Sequence, residues 1–200
     1  MTRLFMSRRA LVATSLATGL IAVAGCTTTT PSDSQTTSPQ ANQAKRSELS
    51  AAATGALDQL YRQEPGSRGM VQQAKGVLVF PKVFKAGLIV GGEYGEGVLR
   101  VGGNTVDYYS ATAGSLGLTA GAQEKSVFIL FMTDEALTKF RQSDGWQAGA
   151  DASVAVVNVG AAGSATTQTA QRPIIGYVLT QGGLMVDASL NGTKISKLAM

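Results

Sequence analysis

Beyond residue 75 the chain alternates short runs of apolar, often β-branched residues with glycines, of which the whole sequence holds 24. Runs of this length bounded by glycine are typical of strands joined by tight turns. Sequential strands pair antiparallel, so the pattern predicts an α+β domain with a mainly antiparallel, curved or barrel-like sheet and a few short helices. The predicted strands are 76–80, 88–90, 98–101, 105–109, 115–120, 127–132, 154–159, 174–180 and 184–190.

Glycines and one proline set the predicted strand ends. Pro81 is expected to end the first strand, because proline cannot donate to a ladder. The glycine-rich segment Gly91–Gly97 predicts a turn, and so do Gln181–Gly183 and Asn191-Gly192.

Three segments have the marks of helices. Residues 47–62 place apolar side chains at i, i+3, i+4 and i+7, which predicts an amphipathic helix at the start of the domain with Ser47 as its N-cap. A shorter helix is predicted over 67–75. A third is predicted after Thr133, whose hydroxyl can cap a first turn that holds two acidic residues.

Residues 1–25 have the organisation of an export signal. Three arginines precede an apolar run over residues 10–24, and small residues precede Cys26. The run is shorter than the roughly 20 residues that a membrane span needs. Val23–Cys26 (VAGC) resembles the lipobox of bacterial lipoproteins, which implies cleavage before Cys26 and its lipidation. An ordinary secretory leader with an incidental cysteine is the alternative, and both Sec and twin-arginine export fit the arginines.

The lipobox resemblance sets the predicted organisation and location. Residues 26–46 are rich in Thr, Ser, Pro, Gln and Asn, which predicts a flexible tether, and the folded domain is expected over 47–200. Thr27 stands where an aspartate often signals retention in the inner membrane. We therefore expect a protein anchored to the cell envelope, at the outer membrane facing the periplasm if the host has two membranes.

The charge pattern argues against a nucleic-acid partner. The formal net charge is +4, but three of the 17 basic residues lie in the leader, which holds none of the 13 acids. The chain after Cys26 is therefore near +1, without the strongly basic domain that nucleic-acid binding favours. Positive charge is concentrated in residues 62–85, which hold one acid, Glu64, and the basic residues Arg62, Arg68, Lys75, Lys82 and Lys85.

The residue types restrict the chemistry that the chain can perform. It has no histidine and one cysteine, which excludes Ser-His-Asp and Cys-His nucleophiles and the usual His-rich zinc sites. Glu93 and Glu96 could form an acid/base pair, but we expect them at an exposed hairpin tip. Gly91–Gly97 resembles a phosphate-binding loop only superficially, because a strand rather than a helix comes after it. We predict no catalytic activity, cofactor, metal or disulfide.

The basic segment is the candidate binding site. A cation near an anionic bilayer contributes about 1 kcal/mol, so Arg68, Lys75, Lys82 and Lys85 are predicted to bind acidic headgroups, with Arg62 a weaker candidate. Lys82 and Lys85 flank Phe84 in a predicted loop, which would place Phe84 at the acyl boundary. The alternative is a Phe84 packed in the core, with solvated lysines.

Three blocks of sequence carry a resemblance to a known family. The blocks AKGVLVFP (74–81), KAGLIVGG (85–92) and GEG (95–97) are similar to the SYLF, or Ysc84 actin-binding, domain family. Residues 175–177, 183–184 and 191–192 fit the end of that domain, so the resemblance covers about 48–198. It implies a lipid-binding module without catalytic residues. The SH3 domain of some eukaryotic members is absent, so actin bundling is not implied.

The sequence supports two functions. The first is a membrane-anchored lipoprotein whose domain binds anionic phospholipid. The alternative is a structural or protein-interaction lipoprotein of the envelope, with an envelope protein as partner and no lipid site.

Overall fold

The computed structural model describes residues 39–87, 90–116, 121–159, 171–180 and 190–200. Its helices are α1 (Pro39–Gln63), α2 (Ser67–Gln73) and α3 (Asp134–Gln142). Its strands are β1 (Gly76–Gly87), β2 (Val90–Val101), β3 (Asn104–Leu116), β4 (Gly121–Phe131), β5 (Trp146–Gln147), β6 (Ala155–Val159), β7 (Ile174–Thr180) and β8 (Lys194–Lys197).

The strands of the described ranges form one sheet in the order β5-β8-β3-β2-β1-β4-β7-β6. It is curled into a half-barrel, which confirms the α+β prediction with a curved sheet. Its paired strands run antiparallel except β6 and β7, which pair in parallel. The prediction of antiparallel pairing by sequential hairpins is therefore wrong for β6 and β7. The segment between these two strands is longer than a hairpin turn, and a longer connection permits parallel pairing.

Each side of the sheet carries its own apolar core. On the α3 side, Leu137 and Phe140 of α3 pack over β1 to β4, with Phe80 and Phe131 among the fully buried rings. On the α1 side, Leu57 and Leu60 of α1 cover the alternate residues of the same strands. Successive strand residues point to opposite faces, which is why one strand supplies both cores.

The segment Gly91–Gly97 lies within β2 and is not a turn. A Cβ on Gly97 would lie 2.5 Å from Phe80 Cδ1 and 2.5 Å from Val79 O, and a Cβ on Gly95 would lie 2.7 Å from Lys82 O. These glycines therefore serve close packing in the strand rather than chain reversal. Glu93 and Glu96 lie on the strand, so the predicted hairpin tip is wrong.

Strand β1 continues through Pro81, where the sequence predicted its end. The pairing register shifts between Val79 and Lys82 on the β2 side, and Ser126 Oγ donates a hydrogen bond to Pro81 O at 2.7 Å. Such an irregularity removes the need for the N–H that proline lacks. Lys82, Phe84 and Lys85 therefore lie on a strand and not on a loop.

Helix α1 begins at Pro39, eight residues before the predicted start. Residues 39–46, assigned to the tether, are thus helical, and Ser47 is not an N-cap but donates to Ala44 O inside the helix. Thr133 does cap α3, accepting from the backbone N–H of Ala136, as predicted. Among the helices that the structure describes, none is long and apolar enough to cross a membrane.

Several predictions fall outside the described residues. These are the leader 1–25, Cys26, the tether up to residue 38, residues 88–89 of the strand 88–90, residues 117–120 of the strand 115–120, the turn Gln181–Gly183 and most of the strand 184–190.

Candidate functional site: an amphipathic groove beside helix α1

Two large aromatic side chains stand exposed next to each other on the α1 side of the sheet. Phe84 is 53% exposed and Tyr94 49%, and the two are directly opposite in the antiparallel pairing of β1 with β2. Apolar rings of this size are normally buried. Because the Phe84 ring is exposed in this structure, the alternative in which it packs into the core is wrong.

The two rings border a groove of about 310 Å³ between α1 and strands β1 and β2. Leu49, Ala52 and Pro81 supply further apolar surface, and the charged residues of the lining are Lys45, Glu48, Lys82 and Glu96. Apolar walls with a few charged groups are typical of sites that bind amphiphilic ligands.

Glu96 holds two of the polar groups in place. Lys45 Nζ lies 2.7 Å from Glu96 Oε1, and the Tyr94 hydroxyl donates to the same oxygen at 2.9 Å. Burial raises the pKa of Tyr94, and the hydrogen bond from Tyr94 to Glu96 adds to that increase. Tyr94 therefore remains a neutral donor at physiological pH, and the charge of Lys45 is compensated.

Lys82 is a cation of the groove without an ion-pair partner among the described residues. It is exposed on β1 beside Phe84, and in the described ranges no carboxylate lies within ion-pair distance of it. Lys82 and Phe84 thus expose a charged group and an apolar ring side by side. In such a pair the ammonium group can stay in water while the ring contacts an apolar phase.

Lys85 does not line the groove, although it is only three residues from Lys82. Alternation along β1 sends Val83 and Lys85 to the α3 side, and Val83 is part of the core there. The Lys85 side chain is only 16% exposed, and its Nζ lies 3.7 Å from Glu93 Oε1.

The other predicted headgroup residues lie at the opposite end of β1. Lys75 Nζ is 3.7 Å from Asp134 Oδ2, and the Arg68 guanidinium stacks 4.5 Å above the Tyr61 ring centroid. Ten residues separate Lys75 from Lys85, which along a strand is roughly 30 Å. Arg62 is exposed at the end of α1. The structure thus does not gather Arg68, Lys75, Lys82 and Lys85 into one site.

Sequence reasoning missed three residues of the groove, Lys45, Glu48 and Tyr94. Lys45 fell in the predicted tether, and Tyr94 fell in the predicted turn Gly91–Gly97. The alternation of Tyr94, Glu96 and Val98 on one side with glycines on the other is a strand signal. That signal was hidden because glycine also marks turns.

No group of three or more potential metal ligands is found among the residues that the structure describes.

Residues 112–199 match the model of a family described as Ysc84, Las17-binding protein actin regulator. The match runs from the end of β3 to the end of β8, so the groove on α1, β1 and β2 lies before it in the sequence. None of the curated proteins is a significant match to the chain.

Proposed function

Because the chain carries a Ysc84 (SYLF) domain, matched over residues 112–199, we propose that it is a membrane-anchored lipoprotein whose domain binds anionic phospholipid headgroups. The observation that carries the proposal is the pair of exposed rings, Phe84 and Tyr94, beside the uncompensated ammonium of Lys82. The family resemblance, which implies a lipid-binding module, agrees with it.

In this proposal each residue of the groove has its own role. Phe84 enters the boundary between headgroups and acyl chains, where an aromatic ring gains from leaving water. Lys82 stays at the phosphates and contributes about 1 kcal/mol on an anionic surface. Tyr94 lies at the interface with its hydroxyl bonded to Glu96.

The anchor makes a weak domain affinity sufficient. Cys26, which lies outside the described residues, would carry the acyl chains, and two such chains hold a protein on a bilayer stably. A domain tethered in this way meets the lipid surface at a high effective concentration. The location would be the cell envelope and, in a host with two membranes, the outer membrane facing the periplasm.

The test uses the unit Thr37–Met200, which the contacts of the chain define as one compact unit. Co-sedimentation with anionic and neutral vesicles at low and moderate salt measures its affinity. Lys82→Gln should weaken binding to anionic vesicles roughly fivefold, the equivalent of about 1 kcal/mol. Phe84→Ser should weaken binding to both kinds of vesicle. Wild-type binding should fall with salt, because screening shortens the reach of the charges.

Two control variants match these changes in chemistry but lie outside the groove. Lys139→Gln removes an exposed lysine of α3, and Val106→Ser removes a 42% exposed apolar side chain of β3. Both should bind vesicles like the wild type. Equal effects of Lys82→Gln and Lys139→Gln would contradict the groove assignment.

The alternative function is a structural or protein-interaction lipoprotein. The description of the matched family names a protein, Las17, as the partner of its members. A wild-type unit that binds neither kind of vesicle would favour this alternative.

A further inference from the structure

The charged residues that line the groove beside α1 differ in whether they already have a partner. Lys45 and Glu96 form an ion pair at 2.7 Å, so their charges compensate each other within the protein. Lys82 and Glu48 take part in no ion pair among the residues that the structure describes. The groove therefore presents a positive and a negative group to a ligand.

Glu48 is exposed on α1, in the wall of the groove that faces strands β1 and β2. Lys45 lies three residues earlier on the same helix, a spacing at which two side chains can form an ion pair. Lys45 instead donates to Glu96, which is 51 residues further along the chain. The carboxylate of Glu48 is thus left without the helical partner that the sequence provides.

Lys82 and Glu48 belong to different walls of the groove, Lys82 to β1 and Glu48 to α1. They border the same space of about 310 Å³, but their charged groups are beyond ion-pair distance of each other. A ligand that pairs with both must carry a negative and a positive group that a short spacer holds apart. Charges placed in this way across a binding site contribute mainly to specificity.

We propose that the groove selects phospholipids whose headgroup carries a primary ammonium, as phosphatidylethanolamine does. The phosphate lies at Lys82, and the ammonium at the end of the short ethanolamine chain donates hydrogen bonds to the carboxylate of Glu48. Anionic lipids attract the domain to the bilayer, and the groove then chooses among the headgroups that it meets there. The inference rests on the proposed lipid binding and adds to it the kind of headgroup that the site prefers.

A quaternary ammonium such as choline fits the groove less well. Aromatic rings bind such a cation when they form a cage around it. Phe84 and Tyr94 stand side by side on neighbouring strands of one face of the sheet, so they do not surround a ligand. Choline also has no N–H to donate to Glu48, whereas a primary ammonium has several. The carboxylate of Glu48 therefore favours ethanolamine over choline.

The test compares two kinds of vesicle with the same content of phosphatidylglycerol, one completed with phosphatidylethanolamine and the other with phosphatidylcholine. Co-sedimentation measures the affinity of the unit Thr37–Met200 for each kind. The affinity should be at least about threefold higher for the ethanolamine vesicles, within the range of an exposed ion pair. Equal affinity, or a preference for choline, would overturn this inference and leave the proposed lipid binding intact. Binding to neither kind would overturn both.

Two variants separate the role of the groove from the effect of ethanolamine lipids on bilayer packing. Glu48→Gln keeps the size of the side chain and should bind both kinds of vesicle equally. Asp58→Asn is the matched control, because it removes an exposed carboxylate from the same helix outside the groove, roughly 15 Å along the axis. It should keep the wild-type preference. A preference that persists in Glu48→Gln, or one that Asp58→Asn also abolishes, would overturn the assignment to Glu48.

Discussion

Glu93 Oε2 lies 2.6 Å from the Nζ of Lys125, and the two side chains are only 12% and 4% exposed. Lys85, directly opposite Glu93 in the pairing of β1 with β2, approaches the other carboxylate oxygen at 3.7 Å. One carboxylate thus serves two lysines on the α3 side of the sheet. A buried ammonium group destabilises the folded state unless it is paired with an opposite charge. Glu93 supplies that charge for Lys125.

Glu93→Gln should therefore be strongly destabilising. It leaves Lys125 buried without its counter-charge, and breaking such a pair costs about 3–5 kcal/mol. The matched control is Lys85→Met, which removes the more distant lysine, leaves the pair of Glu93 with Lys125 in place, and should therefore destabilise much less than Glu93→Gln. Urea unfolding of the three proteins measures both values. Equal losses in the two variants would show that the pair with Lys125 is not the dominant one.

The glycines of β2 give a second test. Gly97→Ala would place a Cβ 2.5 Å from Phe80 Cδ1 and Val79 O, and overpacking of this kind costs about 1–3 kcal/mol. Gly114→Ala in β3 is the matched control, because nothing lies within 4 Å of its Cβ position. It should leave stability unchanged or raise it slightly by restricting the unfolded chain. Thermal melts compare the two, and similar melting temperatures would contradict the packing role of Gly97.

Some elements of the fold could be predicted from the sequence, whereas the role of the glycines in β2 could not. Strand β7 was predicted with its observed bounds, because Ile174–Thr180 is a mostly apolar run that begins after Pro173 and ends before the turn signal Gln181–Gly183. The cap of α3 at Thr133 was predicted because it depends on local chemistry alone. Gly97, by contrast, is a glycine because Phe80 of the neighbouring strand occupies the space of its side chain. That contact is tertiary and leaves no local signal.

The candidate site was predictable only in part for the same reason. Lys82 and Phe84 were identified from a local pattern, although on a loop that is in fact strand. Lys45 joins them through an ion pair with Glu96, which is 51 residues away in sequence. That contact depends on how α1 packs on the sheet, which a local sequence pattern does not specify.

Stability should fall at alkaline pH through Tyr109. Burial raises the pKa of Tyr109 to about 12, with Asp107 adding to the increase and Arg141 opposing it. The unfolded chain, with a tyrosine pKa near 10, loses its proton first, so the folded state is favoured below pH 10 and loses this contribution between about pH 10 and 12. The loss is about 2 kcal/mol.

Tyr109→Phe keeps the ring that packs 4.9 Å from Phe140 and removes the titrating hydroxyl. The variant should therefore lose less stability than the wild type between pH 9 and pH 11.5, measured by urea unfolding at each pH. Parallel pH profiles of the two proteins would assign the alkaline loss to other groups, such as the lysines.

The last prediction concerns Tyr177, a fully buried ring of the α1-side core. Its hydroxyl is buried and finds no hydrogen-bond partner among the described residues. Removing the hydroxyl spares the folded state an unmet desolvation penalty, so Tyr177→Phe should raise the free energy of unfolding by about 1 kcal/mol. Tyr108→Phe, at a half-buried tyrosine of β3, is the control and should change stability by less than about 0.5 kcal/mol. A loss of 1 kcal/mol or more in Tyr177→Phe would mean that the hydroxyl is hydrogen-bonded, with a buried water as its partner.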